Sequence, residues 1–107
     1  MDYTPWLKMA TLVFELEKKV LQKDENPTLE RIVAKMKRVL EENNIFLYDP
    51  TGESYAETRT DVEANIAGSN SNHLYISQVI KPIVYSNENG VKQLLQKGIV
   101  TVENKPA

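Results

Sequence analysis

The chain has 107 residues, of which 41% are hydrophobic and 26% charged, with a formal net charge of −2. That length supports one domain with one modest core, and so small a net charge supplies no long-range field for nucleic acid or an anionic membrane. The absence of cysteine excludes disulfides and thiolate metal sites, and no apolar run reaches the length of a bilayer span.

Thr4-Pro5 opens the first predicted helix: threonine caps free amides, and proline at the first helical position loses nothing. Trp6, Met9, Val13, Leu16 and Val20 step by three and four, while Leu7, Phe14 and Leu21 add a second row at heptad spacing. The combined stripe is wider than one partner helix needs. Asn26-Pro27 starts a second helix by the same logic, with Leu29, Ile32, Val33, Met36, Val39 and Leu40 on one face. The short connection predicts an antiparallel helical hairpin over about 4–43.

From Asn43-Asn44 onward the pattern changes to short runs cut by turn signals. Ile45–Tyr48 reads as a strand, and Asp49-Pro50-Thr51-Gly52 holds the residues of a type I turn, which would let Ser54–Thr58 pair back as a hairpin. Val62, Ala64 and Ile66 share one strand face, and Leu74, Ile76 and Ile80 another. The polar stretch at 68–72 reads as a mobile loop. Pro82 confines Ile83–Tyr85 to an edge or a strand start, and Asn89-Gly90 is the strongest hairpin dipeptide in the chain. Val91–Gln96 fits a helical turn or a strand equally. Ile99–Val102 closes the β-rich part, about 45–103, and Asn104–Ala107 should fray. The fold class expected is α+β: an antiparallel helical hairpin, then a small, mostly antiparallel sheet, in a single domain over 1–107.

Catalytic chemistry needs tuned groups held together in a cleft, and the inventory offers little of it. His73 is the only histidine, beside the polar loop, and its simplest role is that of a solvated residue. Glu53, Glu57, Asp61 and Glu63 cluster in sequence; a solvated face is the first reading, a hard-metal or small-ligand site the alternative. Lys35, Lys37 and Arg38 are interrupted by Glu30, Glu41 and Glu42, so no basic stripe for nucleic acid forms. No enzyme, cofactor or metal is expected. A soluble cytoplasmic protein is the expectation, since Asp2 stands where a leader would be basic. The wide stripe of the first helix leaves two outcomes open. Either the β-rich part folds over it, or two chains dimerise through Trp6, Val13 and Phe14.

The Val39-Leu40-Glu41-Glu42 helix end, followed by Asp49-Pro50-Thr51-Gly52-Glu53-Ser54-Tyr55, resembles the start of the β-domain of GrpE-type nucleotide exchange factors. Val100 and Val102 match that family's closing Val-x-Val strand, and Gln96-Lys97-Gly98 its late turn. The chain departs from the family in Tyr55, where phenylalanine is usual, and in a first helix of roughly 28 Å at helical rise. The resemblance implies a shortened, non-catalytic homodimer whose β-part presses on the ATPase domain of a DnaK-type chaperone. It implies partner contacts around Tyr55, Arg59, Ile83 and Tyr85. A role as assembly subunit of a larger complex is compatible with the same features.

Overall fold

A computed structural model describes residues 2–23, 26–66 and 73–105. Helix α1 spans Thr4–Lys23 and α2 spans Pro27–Glu42. The cap of α1 falls one step earlier than the sequence suggests: Thr4 is already helical and donates its N–H to Asp2 Oδ1 at 2.9 Å. Asn26 caps α2 as expected, accepting from the Leu29 N–H at 3.2 Å. Its far end is a Schellman stop. Asn44 adopts φ 65°, its N–H reaches the Glu41 carbonyl at 2.9 Å, and the Ile45 N–H reaches the Leu40 carbonyl at 2.9 Å. Leu40 and Ile45 are buried in one cluster, so the stop also seats the first residue of the β-rich half.

The two helices pack antiparallel. Val20 and Val33 meet near the connection, Val13 and Leu40 further from it, and Lys37 Nζ lies 3.1 Å from Glu17 Oε2 between them. No described helix is long and apolar enough to cross a membrane.

Among the described residues seven strands follow: β1 Phe46–Tyr48, β2 Ser54–Tyr55, β3 Val62–Ile66, β4 Leu74–Lys81, β5 Ile83–Glu88, β6 Val91–Gln96 and β7 Gly98–Asn104. They form two sheets, ordered β1-β5-β6 and β2-β4-β7-β3. All pairings are antiparallel except β3 with β7, so the α+β class with a mostly antiparallel β-part holds. The undecided Val91–Gln96 segment is a strand, and Asn104 pairs with Leu74 at the end of β7. The polar loop read at 68–72 lies outside the described residues.

Strands β4 to β7 amount to one long hairpin with a corner in its middle. At its tip Asn89 (φ 53°) and Gly90 (φ 80°) supply the two positive φ angles of a type I′ turn. At the corner Pro82 cannot donate to a ladder, and the chain leaves the four-stranded sheet for the three-stranded one. Gly98 makes the corner tight, because a Cβ there would meet Ile83 Cγ1 at 2.9 Å and the Lys81 carbonyl oxygen at 3.3 Å.

Two local readings are corrected. Ser54 and Tyr55 pair with Tyr75 and Leu74 of β4, not with β1, which pairs with β5. The cause is the turn. Its closing bond runs from the Glu53 N–H to the Pro50 carbonyl at 3.0 Å with Gly52 third at φ 88°, the signature of type II displaced by one residue. The Gly52 N–H then bonds the Ile76 carbonyl at 2.8 Å, delivering the chain to β4. In β4 itself the alternation breaks. Ile76 and Val79 are buried while Ile80 is exposed, because register shifts at Ile76/Gln78 and Val79/Lys81 exchange the faces.

Among the described residues the interior divides into two clusters. Phe14 joins Val62, Ile76, Val79, Ile83, Val100 and Val102 in the sheet core. Ala10, Val13 and Leu40 join Ile45 and Val84 in the helical core, and Leu47 packs against both. The radius of gyration is 15.2 Å. A spherical domain of this length would measure about 13 Å. With principal extents of 41 × 37 × 21 Å the molecule is a slab, and a slab leaves apolar faces uncovered.

Candidate functional site

The loop from Asp49 to Asp61 is held by one cation. Arg59 Nε donates to Asp61 Oδ1 at 2.6 Å, and its Nη2 donates to Glu53 Oε1 at 2.9 Å and to Asp61 Oδ2 at 3.2 Å. Nη1 reaches the Ser54 carbonyl at 3.3 Å. The planar fork of a guanidinium suits such multiple acceptance. Asp61, then Glu53, hold the already basic Arg59 further toward its charged form, against the partial cost of burial. Tyr48 adds its hydroxyl as donor to Glu53 Oε2, which pushes the phenol above its ordinary value. Two of the four clustered carboxylates are therefore engaged with Arg59, and among the described residues no group of three or more His, Cys, Asp or Glu is arranged to hold a metal ion. Sequence proximity of Glu53 and Asp61 to Arg59 was the available signal for this clamp.

The four residues assigned to a partner are not brought together into one patch. Arg59 braces its own loop. Tyr55 packs, half-buried, against the sheet core, and Ile83 is fully within it. Tyr85 is placed differently. It lies between Phe46, stacked at 5.6 Å between ring centroids, and Leu94, its register partner on β6. The Lys92 ammonium sits 5.1 Å over the same ring, within cation–π range. Successive residues of a strand point to opposite faces, and the neighbouring Val84 and Leu47 face the helices. Phe46, Tyr85 and Leu94 thus share the face turned away from the hairpin.

Of the residues assigned to a dimer, Val13 and Phe14 lie inside one chain at 2% and 3% exposure, and Trp6 is half-buried against the helical core. The helical stripe is split. Its inner part is covered by α2 and the sheets, while Met9, Leu12 and Leu16 at i, i+3 and i+7 stay in solvent. Comparison of the chain with known protein families, with curated proteins and with solved structures returned no match.

On α2, Leu29, Ile32 and Val39 are likewise exposed, in a row that runs through half-buried Met36. Helical spacing puts the α1 row beyond Val13, away from Phe14 and Lys18, which face the strands. The reversed direction of α2 brings its own row to that same side, opposite the Glu17–Lys37 bridge. The six side chains are 38–58% exposed. Together they present on the order of 500 Å² of apolar surface, the size of the largest patch on a typical monomer. The helix periodicities contained five of these six residues, Leu12 falling outside both α1 rows, but only the packed structure tells which half of each stripe stays open.

Proposed function

We propose that this chain is a non-catalytic protein-interaction module that pairs with a second copy through the outer face of its helical hairpin. The observation that carries the reading is the apolar row on each helix, Met9, Leu12 and Leu16 beside Leu29, Ile32 and Val39. A stable interface buries about 800 Å² per partner, and an apolar centre of this size with a polar rim meets that requirement. A two-fold axis across the hairpin would stack four helices. The Phe46–Tyr85–Leu94 face of the three-stranded sheet then stays free for another protein.

The finer reading, drawn from the GrpE-like stretch around Asp49–Tyr55, is a regulator of a DnaK-type chaperone. Such a protein works by binding one conformation of its partner better than another. Its contacts would centre on Tyr85, with Tyr55, Arg59 and Ile83 supporting the strands behind it.

Light scattering tests both levels. The wild-type chain should run at twice its 12.2 kDa mass, and the Leu16→Glu/Ile32→Glu variant as a folded monomer. A wild-type monomer at 100 µM or so would end the dimer proposal, since obligate interfaces of this area associate far more tightly. A complex with a DnaK-type chaperone that Tyr85→Ala weakens and ATP releases supports the finer reading; no complex leaves the module without that partner.

A further inference from the structure

Strand β6 is an edge of the three-stranded sheet, and its pairing pattern decides which backbone groups are open. The two-residue turn at Asn89-Gly90 makes Glu88 and Val91 a hydrogen-bonded pair, and Ser86 with Gln93 the next one. Between these, Asn87 and Tyr85 turn their backbone groups toward β1. The Asn87 N–H donating to Asn44 Oδ1 at 2.9 Å on that side fits this alternation. Their partners Lys92 and Leu94 then turn N–H and C=O outward, with no strand beside them among the described residues. An edge of this kind is a template for an added strand.

The same strand ends at a groove. Gln96 donates from Nε2 to the Pro82 carbonyl at 3.1 Å and lines an open depression of about 480 Å³ on the flank of α1. Leu7 and Leu12 line it too, as do Lys8 and Lys81, and among the described residues no acidic one does. Neither lysine forms an ion pair with a described residue. Two ammonium groups with no ion-pair partner among the described residues, set beside apolar side chains and an open strand edge, define complementary chemistry: extended backbone, an apolar anchor and carboxylates.

We infer that β6 and this groove bind an acidic, extended peptide segment of a partner protein, which adds a strand beside Lys92 and Leu94 and sets an apolar side chain between Leu7 and Leu12 with carboxylates at Lys8 and Lys81. The strand pairing supplies sequence-tolerant affinity, and the lysines select against basic segments. This surface is distinct from the outer face of the hairpin except at Leu12, so the dimer proposal and this one fail separately.

The probe is a fluorescein-labelled octapeptide of alternating glutamate and valine, titrated with the full chain and read by anisotropy. Saturable binding with Kd below about 100 µM is expected, weakened about tenfold or more by Lys8→Glu/Lys81→Glu. N-methylation of alternate peptide amides should weaken it comparably, since it removes the strand bonds without touching charge. Leu94→Pro deletes one outward N–H on an edge strand, where proline is tolerated, and should also reduce binding while the melting temperature reports that the sheet survives. No saturable binding overturns the proposal. Equal binding of a lysine–valine peptide overturns it as well, and indifference to N-methylation assigns the lysines to a general anionic contact, against strand addition.

Discussion

The sheet core and the helical core are assembled from different kinds of contact. Six of the seven buried members of the sheet core come from strands, and they span the chain from Val62 to Val102; α1 contributes Phe14 alone. The helical core joins Ala10 and Val13 of α1 to Leu40 of α2, with Ile45 and Val84 closing it from the β-rich half. The first is a product of long-range register, the second of helical periodicity. Phe14 is the helical side chain that ties one to the other, with Lys18 covering it: the ammonium sits 5.1 Å from the ring and bonds the Val79 carbonyl at 2.6 Å.

The largest expected effect follows from that tie. Phe14→Ala empties a fully enclosed site between α1 and both sheets, and should cost about 3–5 kcal/mol in urea unfolding. Loss of that size with an unchanged denaturant slope means that the two cores unfold together. A loss below about 1 kcal/mol would mean that the sheet core stands without the helix, contrary to the packing described.

The difference between the cores also explains what the sequence could tell. Periodicity located both helices, because Val33, Leu40, Ala10 and Val13 repeat at helical spacing whatever they pack against. The α+β class followed from the change of pattern at Asn43-Asn44. Periodicity could not say that Met9 and Leu16 would be left outside while Val13 and Phe14 went in, since that depends on where the strands dock. In β4 it placed Ile80 with Ile76, and two register shifts undid the alternation. The Tyr55, Arg59, Ile83 and Tyr85 set came from a resemblance carried by turn residues, and turn residues such as Pro50 and Gly52 specify a local bend more than a surface. Arg59 shows the consequence, its guanidinium spent on Glu53 and Asp61.

A smaller effect tests the corner that separates the two sheets. Gly98→Ala would place a methyl 2.9 Å from Ile83 Cγ1 and 3.3 Å from a backbone carbonyl, in a position where Ile83 is itself packed in the sheet core. Overpacking of this kind should destabilise by about 1–3 kcal/mol, visible as a lowered urea midpoint. Amide exchange gives the sharper reading: β5 and β7 should lose protection near the corner, while α2 keeps it. Uniform loss everywhere would instead make the corner part of one indivisible unit.

The smallest effect lies on the surface, where Tyr48 meets the loop held by Arg59. Tyr48 is exposed and donates its hydroxyl to Glu53, chiefly for which reason its phenol is pushed above the ordinary value of 10.0; Arg59 works weakly in the opposite direction. The raised value fixes the sign. The bond favours the protonated phenol, so its contribution is complete below pH 10.0 and disappears as the pH rises through the folded-state value. For a pair at the surface the stability change should be too small to shift unfolding, and ionisation is the better readout. Ultraviolet titration should therefore show a late step, above the ordinary value of 10.0, that Tyr48→Phe removes. Removal of an early step instead would mean that the hydroxyl is not held by Glu53 in solution. Glu53→Gln distinguishes the causes: it keeps an acceptor but deletes the charge, so the Tyr48 step should move back toward the ordinary value of 10.0 without reaching it. With Asp61 then the one carboxylate left on Arg59, the loop should exchange its amides faster while both cores remain protected.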